Sequence, residues 1–453
     1  MKHIFILLTL AVMSITSLRG QSDLSSLLLS NSWQEMNANP ALQPAGIVVN
    51  LPGFYNNLWL TNITFNDLVV EENGTTVLDI SNAIDQMEAQ NVLREDFDIE
   101  TIGIGFHIGR LGLSVGHRLR FNALIDYPKT LAQLIWEGNA QFVGETVSFG
   151  PSFDLTAYHE FALGASYKIG DNVQIGGKVK LLSGGANLNT ERNDLQLTTS
   201  DDVYQLTMDA DLLLNTAGTL SYDGLRDVGV DFNFGNFSTE SLFSGNSGLA
   251  FDLGIAVKLG KLQLSASALD LGAEISWEEE VANYSLDGLY EFEGLDVAQQ
   301  LLDDGESFGD VIDSLYNTYE PTETNNGYTT TIGAKYYFSG QYEVSEDILV
   351  GLIAYTDNYK DVNTTAVAVS GSINFSPVLR VGGFYGLRNE RLDNLGVNAT
   401  LSLGPVHLMA ATDNIISAFR PKDAHLANFR VGLNLAFGQE KEDVDRSNGN
   451  RMF

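Results

Sequence analysis

The sequence predicts an all-β fold: a transmembrane antiparallel β-barrel of about 14 to 18 strands, with short helices in long loops and a hatch-like N-terminal segment. Three observations carry that reading. Apolar residues alternate with period two over many short segments. The residues opposite the apolar face are mostly Gly, Ser, Asn, Thr and Ala, whereas a soluble sandwich shows a charged outer face. The chain begins with an export signal, yet no later stretch reaches the roughly 18 consecutive apolar residues of a spanning helix.

The first twenty-one residues read MKHIFILLTLAVMSITSLRGQ. Lys2 and His3 form a short basic region, Ile4 to Met13 an apolar run, and small and polar residues follow. This is the pattern of a secretory signal peptide over 1–20, cleaved after Gly20; it implies export, and the barrel reading adds the cell outer membrane as the expected location. Residues 21–46 then form an N-terminal periplasmic or hatch segment, 47–438 the barrel, and 439–453 a polar C-terminal tail without alternation.

Within the hatch segment, NANPALQP brackets Asn39, Pro40, Ala41 and Pro44. Proline fixes φ, lacks an N–H donor and pushes its preceding residue toward extended backbone, so this stretch belongs outside any strand ladder. Asn39 is suited to bond nearby backbone and fix a turn. The expectation is a stopper packed in or against the periplasmic mouth.

The strands follow by alternation. In FRVGLNLAF, Phe429, Val431, Leu433, Leu435 and Phe437 share one face, and Arg430, Gly432, Asn434 and Ala436 share the other. Nine residues suit a tilted strand crossing a bilayer, and the aromatics stand at both ends of the apolar face. AVAVSGSINF, LGVNATLSL, LQLSASAL, IGAKYYF and LRVGGFYGLR repeat the pattern. Tight turns fall within 168–176 and 257–264. Long excursions are expected over 66–100, 127–145, 216–248 and 277–327, some with helices such as DISNAIDQMEAQ and DVIDSLYNTY. From Glu274 to Glu323 the chain is acidic, with no Lys or Arg, which reads as a solvated outer loop.

Composition excludes several function classes. There are 58 acids against 25 bases, net −33, so the protein repels phosphate backbones and no nucleic-acid partner is expected. The absence of Cys excludes a lipid-anchored lipoprotein, a disulfide scaffold, thiolate metal sites and cysteine nucleophiles. His159-Glu160 fails as a zinc motif because position 163 is Leu. No G-x-S-x-G elbow and no complete calcium loop occurs. No catalytic residue, metal ligand or cofactor is assigned. The useful candidates face the lumen: Lys335, Arg380, Arg388, Arg430 and Asn434, either as attractors of anionic groups or as members of an internal salt-bridge network. His107 and His117 are expected at the rim or in the lumen, with Arg110, Arg118 and Arg120.

NPALQP, VNLPGFYNNLWLTNITFNDL, YPKTLAQLIWEGNA and YHEFALGASYKIGDNVQIGGKVKLLSGGANLNTERNDLQL together resemble a Bacteroidetes outer-membrane family, domain of unknown function 5723. The likeness spans nearly the whole mature chain and implies the barrel without an established activity. The sequence is more distantly similar to FadL-like transporters and to the PorV and PorP/SprF barrels, which carry Asn-Pro-Ala near the mature N-terminus, as Asn39-Pro40-Ala41 stands here. Two function classes stay open. One is a FadL-like channel for small hydrophobic or amphipathic molecules. The other is a non-conducting barrel serving a secretion, gliding or envelope-assembly partner. Both place the chain in contact with outer-membrane lipid, and neither is an enzyme.

Overall fold

The computed structural model describes residues 23–438 except 73–74, 202–204, 219, 223–227, 231–241, 293–320, 361 and 389–390. The expected signal peptide, the C-terminal tail and the expected helix in DVIDSLYNTY lie outside the described residues.

Fourteen antiparallel strands close on themselves. They are β1 (Ile47–Leu60), β2 (Gln90–Ile108), β3 (Leu111–Pro128), β4 (Ser152–Ile169), β5 (Val173–Thr199), β6 (Ser247–Leu259) and β7 (Leu262–Trp277). Then follow β8 (Lys335–Ser345), β9 (Ile348–Tyr359), β10 (Val362–Asn374), β11 (Leu379–Arg388), β12 (Arg391–Leu403), β13 (Val406–Thr412) and β14 (Leu426–Phe437). Closure is made by β1, where Ile47 faces Phe437 of β14 on one side and Phe106 of β2 on the other. Each strand of the ring then has a paired neighbour on both sides, as a hydrocarbon solvent requires.

The alternation read from the sequence becomes two faces of one wall. On β14, Asn428, Arg430, Gly432 and Asn434 are buried, while Phe429, Val431 and Phe437 are exposed. Exposed outward apolar residues recur around the ring: Ile102, Leu163, Val179, Leu253, Phe338, Leu352 and Val369. Aromatics mark the borders of this band. Tyr167, Tyr342, Phe375 and Phe437 stand near the tight turns, and Phe54, Phe251, Tyr385 and Phe429 stand higher. Phe429 and Phe437 are eight residues apart. At about 3.3 Å per residue and roughly 40° tilt, that is about 20 Å along the axis, close to the ~25 Å apolar height of such barrels. Among the described residues, no helix is long and apolar enough to cross a membrane.

The turns at one end are short. Gly109 and Gly260 sit in two of them at φ +62°, a conformation that costs glycine nothing and strains other residues. The wall at the other end is uneven. β13 has 7 residues, while β2 has 19 and β5 has 27. The upper half of β5 leaves the ring and pairs with Leu206–Gly218, which pairs with Val281–Phe292 and so continues the wall as a flap. At the branch, Trp277 is fully buried with Tyr158, Leu182 and Ile275, and its indole N–H donates to Thr330 Oγ1 at 2.9 Å.

Three expected excursions contain strand. Residues 90–100 belong to β2, 216–218 end a strand, and Val281–Phe292 is one. The reason is visible in β2. Arg94, Asp96, Asp98 and Glu100 alternate with Phe97 and Ile99, so the inward face is charged and the run reads as a polar loop. The helix expected in DISNAIDQMEAQ forms as Ile80–Gln86, capped by Asp79, with Ala83 and Ile84 buried.

Candidate lumen site

The described N-terminal residues fill the lower lumen. Helix α1 (Trp33–Ala38) begins at Ser32, whose hydroxyl accepts from Glu35 N–H at 3.0 Å. Trp33 lies on a floor made of Gly103 and Gly116. A side-chain carbon on either glycine would collide with the indole; at Gly116 it would stand 2.6 Å from Cζ2. Met36, Val48 and Ala436 complete this contact. Further along the lumen, Leu24, Leu27 and Leu28 pack with Leu269, Tyr337, Ile353, Tyr355 and Phe384 of the opposite wall. Full burial of each leucine is worth about 2 kcal/mol.

The proline-bracketed stretch lies at the tight-turn end of the same lumen. Asn39 Nδ2 donates to the carbonyls of Ile255 and Ala266, at 3.3 and 3.2 Å. Its Oδ1 accepts from Ala41 N–H at 2.9 Å, and its backbone is extended at φ −150°, ψ 109° before Pro40. The Pro40 carbonyl covers Gly176, and Ala41 and Pro44 are buried. Gln43 donates to the Leu113 carbonyl at 2.6 Å and accepts from Ser166 Oγ at 2.9 Å.

Above α1 a lattice of charges crosses the lumen. Arg120 bonds Asp98, Glu160 and Asp270 at 3.3, 3.0 and 3.2 Å. Lys180 reaches Asp252 at 2.7 Å and Asp270 at 2.6 Å. Arg118 holds Glu160 at 2.6 Å, and Arg94 holds Asp357 at 2.9 Å and Asp96 at 3.4 Å. These side chains come from β2, β3, β4, β5, β6, β7 and β9, so the lattice ties walls that are far apart in the ring. Each charge is desolvated, and only such multiple pairing makes its burial tolerable. The N-terminal segment joins the lattice. Asp23 accepts from Arg430 at 2.5 Å, Gln34 donates to Glu100 at 2.7 Å, and Asn37 bridges Glu100 and Lys178 at 3.1 and 3.0 Å.

Between segment and lattice lies a cavity lined by Asp23, Asn37, Tyr55, Lys335, Tyr337 and Arg430, among others. The cavity volume open to water is about 40 Å³, room for a few waters at roughly 10–15 Å³ each.

Of the sequence-stated lumen candidates, Arg430 pairs with Asp23 and with Glu100 at 3.0 Å, and its guanidinium stacks 4.4 Å from the Tyr55 ring centroid. Asn434 Nδ2 donates to Gln34 Oε1 at 2.9 Å. Arg380 donates to Asn374 Oδ1 at 2.7 Å and to the Ser30 carbonyl at 3.4 Å. Lys335 lines the cavity, and among the described residues no carboxylate lies within 4 Å of its ammonium. The side chain of Arg388 lies outside the described residues. His117 differs from its expected place. Alternation with Arg118 turns it to the outer wall, where it bonds His159 at 3.1 Å and Thr101 at 2.7 Å.

Sequence reading missed Arg94, Lys180 and the carboxylates around them. A signal existed: in REDFDIE, Arg94, Asp96, Asp98 and Glu100 stand at every second position, which is a strand face and not a loop.

Residues 40–413 match the family described as "Family of unknown function (DUF5723)". No curated protein matches. Among solved structures, a TodX mutant described as a monoaromatic hydrocarbon channel is 10% identical, with TM-score 0.44, over 93% of this chain and 96% of that one. The Ralstonia pickettii toluene transporter TbuX is 8% identical, with TM-score 0.42, over 90% and 94%. A Pseudomonas aeruginosa FadL homologue is 9% identical, with TM-score 0.40, over 93% and 100%. At these values no ligand passes from those proteins to this chain.

Proposed function

The chain belongs to the family of unknown function DUF5723, which assigns no activity, and from that premise we propose an outer-membrane channel for small amphipathic molecules, gated by its own N-terminal segment. The observation that supports this reading is what the segment covers. Leu269, Tyr337, Ile353, Tyr355 and Phe384 form an apolar, aromatic stretch of inner wall that leads to the cationic side chains of Arg430 and Lys335. A lumen meant only to be filled has no need of a graded surface. Withdrawal of residues 23–45 exposes a path with an apolar side for a solute body and a charged end for its polar group. Outer-membrane lipid is the surrounding partner, met by the aromatic-bordered apolar band.

The test uses the absence of native cysteine. A side-chain carbon on Gly254 would touch the Asn39 carboxamide, so Asn39→Cys with Gly254→Cys places two thiols within disulfide reach. Proteoliposomes carrying this variant should take up an amphipathic dye when reduced and not when oxidised. No uptake in either state, with the unaltered barrel also silent, sinks the channel reading.

A second reading has its own support. The Arg120–Asp270–Lys180–Glu160 ion pairs cross the lumen between wall strands without using the segment, an obstruction that suits a non-conducting barrel serving an envelope-assembly or secretion partner. Co-purification of a stoichiometric envelope protein from native membranes, alongside silent liposomes, favours this reading. Recovery of the barrel alone removes it.

A further inference from the structure

We propose that the inner-wall cleft holding Asp23–Leu28 is a peptide-binding site, able to take an acidic, leucine-bearing peptide supplied in trans. The contacts are those that recognise a polypeptide. Both oxygens of the buried Asp413 carboxylate accept backbone N–H groups, from Leu24 and Ser25, at 3.1 Å each. Gln341 Nε2 donates to the Leu27 carbonyl at 3.4 Å, and Arg380 donates to the Ser30 carbonyl at 3.4 Å. A hydrocarbon or an acyl chain offers no consecutive N–H donors, so a buried carboxylate aimed at such a pair is specific to peptide backbone.

Side chains are recognised as well. Arg430 receives the Asp23 carboxylate at 2.5 Å while stacked on Tyr55. Leu24, Leu27 and Leu28 fill the wall of Tyr337, Ile353, Tyr355 and Phe384. The resident segment leaves part of the site unused. Lys335 lines the same cavity beside Asp23, with no carboxylate within 4 Å among the described residues, and water-sized space adjoins it. That ammonium acts on Asp96 and Asp270 through space, so a ligand with one more acidic group, from a second Asp or Glu or a free C-terminus, adds a direct ion pair that the chain's own segment does not make. The resident segment therefore acts as an internal competitor at a site shaped for a partner peptide. This inference goes beyond the channel reading and does not depend on conduction.

Binding tests it directly. In full-length Asp23→Asn, Leu24→Ser, Leu27→Ser, Leu28→Ser protein, the resident ion pair and leucine packing are removed, only the backbone contacts to Asp413 and Gln341 still hold the segment, and α1 and its anchors remain. A fluorescein-labelled peptide SDLSSLLLS should bind this variant saturably, at least about tenfold more tightly than the unaltered protein, and a SNLSSLLLS peptide should bind about tenfold more weakly. Saturable binding absent from the folded variant, or equal binding of a scrambled peptide, overturns the proposal. A second measurement needs no loosened variant. A photoreactive group on the first leucine of SDLSSLLLS, at high peptide excess over unaltered protein, should cross-link to Tyr337 or Tyr355. Cross-links only elsewhere, or none, overturn it equally.

Discussion

Arg430 donates to Asp23 at 2.5 Å and to Glu100 at 3.0 Å, so one guanidinium on the last strand holds both the N-terminal segment and the second strand. The three residues are far apart in sequence, and ring closure alone brings them together. All three are largely shielded from water. Replacing Arg430 by Leu leaves two carboxylates without their cation and should cost about 3–5 kcal/mol. Asp23→Asn leaves the Arg430–Glu100 pair intact and should cost less, on the order of 1–3 kcal/mol. Denaturant unfolding followed by heat-modifiable gel mobility compares the two, and equal losses contradict this ordering.

The lattice should differ sharply from the outer flap. Arg120 is buried and bonds Asp98, Glu160 and Asp270, so Arg120→Leu should cost about 3–5 kcal/mol. Arg192 pairs with Asp211 and Asp287 with its side chain 44% exposed, and Arg192→Ala should cost well under about 1 kcal/mol. Unfolding midpoints of the two variants measure the contrast.

Gly103 is a space requirement. Gly103→Val puts a branched side chain where the Trp33 indole lies and should lift α1 from the wall while the barrel persists. The readouts are a red shift of tryptophan emission and proteolysis confined to the first residues. An unshifted spectrum with protection retained contradicts the placement of Trp33.

Glu35 gives the segment a pH dependence. Burial raises its pKa from 4.5 to about 7, although the Asn31 N–H and the Arg380 charge both act to lower it. The unfolded or displaced segment ionises near 4.5 and the packed one near 7. Between those values the displaced state has lost its proton and the packed state has kept it, so packing weakens as pH rises. The slope is about 1.4 kcal/mol per pH unit across that window and flat outside it. Glu35→Gln should remove the slope. Hydrogen exchange of the α1 amides at pH 5 and pH 7.5, expressed as protection relative to the intrinsic rate at each pH, measures it, and greater protection at the higher pH contradicts the sign.

Much of the wall was legible in advance because a strand writes its two faces directly into period-two sequence. FRVGLNLAF shows its lipid face and its lumen face without reference to any other strand. The alternating charges of β2 were just as regular, but they read as loop, because a charged inward face makes sense only when opposite charges from other strands are known to meet it. Arg94 needs Asp357, and Lys180 needs Asp270, residues whose nearness no local pattern records. The prolines at 40 and 44 marked a segment that could not join the ladder, a local property of the ring and its missing N–H. That the same segment carries Trp33 onto Gly103 and Asp23 onto Arg430 depended on the whole ring.

The sequence by itself determined the barrel, its lipid-facing band, its tight turns and the exclusion of residues 39–44 from any strand, since each follows from dihedral limits and side-chain alternation acting over a few residues. Only the tertiary structure decided that the lumen is crossed by ion pairs, that among the described residues no carboxylate lies within 4 Å of the Lys335 ammonium, and that Asp413 holds the N-terminal backbone. Those facts depend on distances between strands, and ring closure sets them.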